Sequence, residues 1–178
     1  MYITEKTKTV RRGSRTGDPA DMANGAGADE WVRQKLGFQP DAAQARVLTA
    51  RSRRVVMNCT RQWGKSTVTA AKAVHRAYSV AGSLTLVLTP CARQSGEVLR
   101  KARDFVRRLE IRVRGDGHNE LSIAFPNGSR IVGLPENETT IRGFSDVSLM
   151  LIDEASRVPD EIYGAMRPTW WSTMGTCG

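Results

Sequence analysis

The stretch Val55–Ala73, VVMNCTRQWGKSTVTAAKA, constrains the fold more tightly than any other part of the chain. A short β-branched run leads into a loop ending Gly64-Lys65-Ser66, and a helix-forming segment follows at once. Strand, loop and helix in that order aim the first N–H groups of the helix back over the strand end, where they favour an anion. The loop that cradles phosphates is ordinarily G-x-x-x-x-G-K-[ST], and here Cys59 stands at its first glycine. The spacing still assigns Lys65 to the β- and γ-phosphates of a nucleotide and the Ser66 hydroxyl to Mg²⁺. Thr60, Arg61, Gln62, Trp63 and Thr67 fill out the loop and the turn that follows it.

A second polar cluster sits at the end of SLMLIDEAS, residues 148–156. The uninterrupted apolar run is that of a strand buried on both faces of a parallel sheet. Asp153 and Glu154 therefore emerge at its C-terminal edge, where open α/β sheets bind ligands. In that position Asp153 holds Mg²⁺ through water and Glu154 activates the attacking water. An acidic pair after a strand is also what a helix N-cap looks like, so the pair gains meaning from the upstream loop. Phe38 and Gln44 lie just upstream, an aromatic and an amide suited to adenine, with a core phenylalanine and a solvated glutamine as the plainer reading. Thr89, Pro90 and Gln94 in LTPCARQS fall on the same sheet edge, although a strand-ending turn explains Pro90 equally well.

Elsewhere the pattern predicts helices in ADEWVRQKLGF, with Asp29 as cap and Gly37 as stop, and in PDAAQARVLTA, with Pro40 in the first turn. Strands are expected at 55–58, 83–89 and 148–152, helices at 65–78, 93–109 and from Pro159 to about Met166. LSIAF and RIVGL read as a hairpin around Pro126-Asn127-Gly128. The alternation gives an α/β fold with a largely parallel sheet.

Residues 1–28 are rich in Gly, Thr and charge and are expected to form a disordered basic arm, leaving 29–178 as one domain. The net charge of +9 favours a polyanionic partner, and Lys6, Lys8, Arg11, Arg12 and Arg15 in the arm are candidate contacts beside the reading of a solvated tail. No apolar run approaches the roughly 18 residues of a membrane span, and no secretory leader is evident. Cys59, Cys91 and Cys177 are too scattered for a disulfide framework or zinc site, which suits a reducing cytosol.

The motifs LGFQPDAAQARVL, CTRQWGKST, VLTPCARQSGEVLRKA and TTIRGFSDVSLMLIDEASRVPDEIYGAMRPT, in that order, resemble the N-terminal ATPase domain of the large terminase subunit, the motor that packages DNA into phage capsids. The resemblance covers about residues 30–169 and implies a P-loop NTPase fold of the RecA/ASCE type, with helices on both faces of the sheet. It implies ATP and Mg²⁺ as ligands and hydrolysis of ATP to drive double-stranded DNA into a procapsid. Terminase loops often lack the first glycine, so Cys59 reads as a tolerated variant. The resemblance further implies Arg61 as a γ-phosphate sensor, Gln44 as adenine reader and Arg142 as a finger offered to a neighbouring subunit, against the plainer reading of Arg142 as a surface arginine. Its implied partners are the portal protein, the small terminase subunit and further copies in a ring, in the host bacterial cytoplasm with no membrane.

The chain departs from that pattern after RPT, ending WWSTMGTCG where a coupling strand and a nuclease domain are expected. This suggests a shortened form, a prophage remnant or a shifted reading frame. The expectation is an incomplete C-terminal part and an open sheet edge beside the Asp153 strand. Without the coupling segment and a neighbour's arginine, hydrolysis by the fragment is expected to be slow. A non-catalytic DNA-binding or assembly remnant is the alternative reading, and a helicase-type ATPase ranks below it because no residues remain for a second lobe.

Overall fold

The computed structural model describes residues 1–5, 27–50, 54–60, 62–115, 117, 121–135 and 143–157. The chain begins with strand β1 (Tyr2–Glu5), then helices α1 (Ala28–Leu36) and α2 (Ala42–Thr49). Next come β2 (Arg54–Val56), α3 (Lys65–Ser79), β3 (Leu84–Thr89) and α4 (Ala92–Arg108). Strands β4 (Ser122–Ala124), β5 (Arg130–Pro135) and β6 (Val147–Ile152) follow, then a short 3₁₀ turn at Ala155–Arg157.

All six strands form one sheet in the order β2-β1-β6-β3-β5-β4. Strand β3 is parallel to both β5 and β6, while β1 is antiparallel to its two neighbours β2 and β6. Strand β2 thus runs in the same sense as the three central strands, and only β1 and β4 oppose it. The result is a mixed α/β fold with a mostly parallel sheet, as the alternation of the sequence predicts.

Every residue of β3 is buried, as its position at the middle of a parallel sheet requires. Its alternate residues feed two clusters. Val87 joins Leu149, Leu151 and Ile131 on the face where Val68, Val74, Leu99 and Val106 of α3 and α4 pack. Leu84, Leu86 and Leu88 join Val132, Met150 and Ile152 on the other. Among the described residues the α-helices lie on the first of these faces. Gly133 allows α4 its close approach to β5, because a Cβ there would stand 2.8 Å from Leu99 Cδ1 and 3.0 Å from Ser95 Cβ. The hairpin closes as expected, with the N–H of Phe125 donating to Ser129 O at 2.8 Å and that of Gly128 to Phe125 O at 3.1 Å.

Three expectations need correction. The basic arm does not extend over residues 1–28: Tyr2–Glu5 is a sheet strand, with Ile3 buried in the core, and 6–26 lie outside the described residues. The edge of β6 is therefore not open, because Tyr2–Glu5 pairs along it from Ile152 to Leu149. An antiparallel strand satisfies the N–H and C=O groups of β6 and β2 together, which four residues of suitable register suffice to do. Helix starts shift slightly. Gly27 caps α1 and Asp29 sits inside its first turn, while Asp41 rather than Pro40 begins α2. The helix expected from Pro159 lies outside the described residues, among which no helix is long and apolar enough to cross a membrane.

Candidate functional site

Strand β2 ends at Val56 and enters the loop through Met57, whose N–H donates to Met1 O at 2.8 Å. The loop turns twice through the left-handed region, at Gln62 with φ 65° and at Gly64 with φ 90°. The second turn suits glycine, since a side chain there is strained. Helix α3 begins at Lys65, and the N–H groups of Thr67 and Val68 close onto Gly64 O at 2.9 and 3.0 Å. Those of Lys65 and Ser66 have no carbonyl of their own helix within reach, as at any helix start. Lys65, Ser66 and Thr67 are half-buried, Thr60 is exposed, and Trp63 and Cys59 pack against the main core.

The acidic pair lies on the same edge of the sheet. Tyr2 is the register partner of Val56 on one side and of Ile152 on the other. The two strand ends are thus level and two strand spacings apart, about 10 Å. Both strands run in the same sense, so the loop from β2 and the Asp153-Glu154 pair leave the sheet together. Asp153 continues the ladder by donating its N–H to Leu88 O at 2.9 Å. Its Oδ1 accepts the N–H of Glu154 at 3.0 Å, so the carboxylate turns the chain at once instead of capping a later helical turn.

Glu154 has φ 49°, a sparsely populated conformation for a non-glycine residue that concentrates at functional sites. Its Oε1 accepts from Gln94 Nε2 at 3.3 Å, and Arg157 Nε lies 3.4 Å from its Oε2. Gln94 is placed by the first turn of α4, and its own Oε1 faces Cys91 Sγ at 3.7 Å. The sequence placed Gln94 on this edge, but its bond to Glu154 spans 60 positions and has no local signal. Arg157 was not singled out at all; its spacing of three from Glu154 is the one trace it leaves.

The remaining sequence candidates divide. Gln44 is buried and belongs to the loop's surroundings: its Nε2 donates to Trp63 O at 2.9 Å and its Oε1 accepts from Asp41 N at 3.0 Å. Phe38 packs against the core, with its ring 6.1 Å from that of Phe105. Thr89 bonds within the fold, to Ser95 Oγ and Cys91 O. Arg61 and Arg142 lie outside the described residues.

Helix α4 carries six basic residues, Arg93, Arg100, Lys101, Arg103, Arg107 and Arg108, several of which are engaged by neighbours. Arg100 pairs with Glu97 and Asp104, Arg107 with Asp104, and Arg103 donates to Ser122 O. Arg108 donates to Leu36 O and covers the Phe105 ring, and Lys101 reaches Thr67 Oγ1 at 3.2 Å. On α3 itself, His75 is buried against Trp31 with a pKa lowered to about 4, chiefly by desolvation and then by the charges of Lys72 and Arg76.

Among solved structures, the chain is similar to the large terminase ATPase domain of Thermus phage P74-26, with a TM-score of 0.67 at 20% identity. A point mutant of the same domain gives 0.65 at 21% identity. Each match covers 77% of this chain and 62% of that chain, so the chain spans less than two-thirds of the length of either structure. No protein-family model matches the sequence, and no curated protein does. The likeness is one of architecture, and by it this chain has the fold of a phage large terminase ATPase domain.

Proposed function

We propose that the chain is the ATPase module of a DNA-packaging motor of the large-terminase kind, binding Mg–ATP between the loop before α3 and the acidic pair after β6. The single observation that carries the proposal is the level placement of those two strand ends on one edge of a terminase-like sheet. The donor set fits a hard cation held mainly by phosphate and water. Ser66 in the first turn of α3 and Asp153 after β6 supply one hydroxyl and one carboxylate at that edge, and among the described residues no cluster of three or more His, Cys, Asp or Glu offers a protein cage. Mg²⁺ in such a site neutralises charge on the transferring phosphoryl group.

The chain's own residues have distinct tasks. Lys65 and the free N–H groups at the start of α3 hold the β- and γ-phosphates, with Thr60, Gln62, Trp63, Gly64 and Thr67 shaping the loop around them. Glu154 takes the proton of the attacking water. Its left-handed backbone and its bond to Gln94 hold the carboxylate in one orientation. Arg61 answers to the γ-phosphate, Phe38 flanks the base, and Arg142 serves a neighbouring copy. In the assembled motor these steps drive double-stranded DNA through a portal in the host cytoplasm, with a small terminase subunit and a ring of copies.

Mg²⁺-dependent ATP hydrolysis tests the proposal. Lys65→Ala is expected to lower turnover about 10²–10³-fold by removing a cation from the developing phosphoryl charge. Glu154→Gln is expected to lower it about 10²–10⁴-fold while leaving nucleotide binding intact. Equal rates in all three proteins would remove the enzyme reading.

A further inference from the structure

We infer that Gln44 is a positioning residue that sets the phosphate loop and does not select the nucleotide base, an inference that rests on the nucleotide-site reading above. Its carboxamide is engaged at both ends. The Oε1 atom accepts from Asp41 N at 3.0 Å, closing a capping box in which Asp41 accepts from the N–H groups of Ala43 and Gln44. The Nε2 atom donates to Trp63 O at 2.9 Å, a contact spanning 19 positions. Only 9% of the residue is exposed, so little of its polar edge is offered to a base.

The contact falls where the loop becomes the helix. A Cβ on Gly64 would stand 3.1 Å from Gln44 Nε2, so the carboxamide packs directly against the residue that turns with φ +90°. A trans peptide places its C=O and N–H on opposite sides. Holding Trp63 O toward Gln44 therefore fixes the direction of the Gly64 N–H, one of the backbone groups a phosphate loop uses. The same amide that closes the start of α2 thus fixes the last peptide before Lys65. Preorganising that peptide favours any polyphosphate, whichever base it carries.

Equilibrium binding of Mg–ATP, Mg–GTP and magnesium tripolyphosphate to the full chain tests this. Gln44→Ala is expected to weaken all three by the same factor, about five- to tenfold, the worth of one buried neutral hydrogen bond. Gln44→Met, which keeps the packing volume, is expected to do likewise. Asp41→Ala removes the capping carboxylate and leaves the tie to Trp63. It is expected to lower the melting temperature but to leave tripolyphosphate binding within about twofold. Loss confined to Mg–ATP, with tripolyphosphate unchanged, would show that Gln44 reads adenine and overturn the inference. Equal losses in Asp41→Ala and Gln44→Ala would overturn it too, since the effect would then come from helix stability alone. A wild-type chain that binds none of the three ligands would overturn the nucleotide-site reading and this inference with it.

Discussion

At the scale of single residues, the polar side chains near the sheet edge are joined in pairs that sequence spacing does not reveal. Gln94 and Glu154 come from different elements, yet one hydrogen bond orients the carboxylate that the proposed chemistry needs. Gln94→Ala is expected to lower kcat about tenfold, with KM unchanged, because it frees a group that acts only in the chemical step. Steady-state kinetics at saturating Mg–ATP checks this. His75 gives a separate prediction, one of stability. Its native pKa of about 4 lies below the ordinary 6.5, so between those values the unfolded chain binds a proton that the native state refuses. Stability therefore falls as pH drops through that window, by about 2 kcal/mol at pH 5 relative to neutral pH. Urea unfolding at pH 7.5 and pH 5 should show the loss in the wild type, and His75→Gln should flatten it.

At the scale of elements, the sequence carried much of the plan because both periodicities were clean. The strands expected at 83–89 and 148–152 and the helix expected at 93–109 each have a counterpart with a buried face in the structure. Strand β1 was invisible for a physical reason: YITE is too short to declare itself, and it is a strand because β2 and β6 leave a gap of one strand between them. The arginines of α4 form a stripe. Two interleaved acids, Glu97 and Asp104, pair with Arg100 and Arg107 at the exposed face, and the helix keeps an excess of positive charge. Two predictions belong at this scale. Removing residues 1–5 unpairs β2, the strand that feeds the loop, and exposes the contacts of Ile3. It is expected to cost at least about 2 kcal/mol in urea unfolding and to weaken Mg–ATP binding. Gly133→Ala, which drives a Cβ into Leu99 and Ser95, should cost about 1–3 kcal/mol in the same measurement without reaching the site.

At the scale of the whole molecule, what the sheet achieves is to bring two sequence clusters nearly ninety positions apart, Lys65-Ser66 and Asp153-Glu154, to one edge. Each cluster was legible alone, since a glycine-lysine-serine turn and an acidic pair after an apolar run leave local marks. Their separation was not, because it depends on an antiparallel strand filling the space between them. The measurement that tests this most directly is a crystal structure of the chain with Mg²⁺ and a non-hydrolysable ATP analogue. The account predicts one metal ion with Ser66 Oγ at about 2.1 Å, and Asp153 joined to it through a water molecule. It also predicts Lys65 Nζ on the β- and γ-phosphate oxygens. An analogue bound elsewhere on the molecule, or a triphosphate on the loop with its metal out of reach of Asp153, would contradict it.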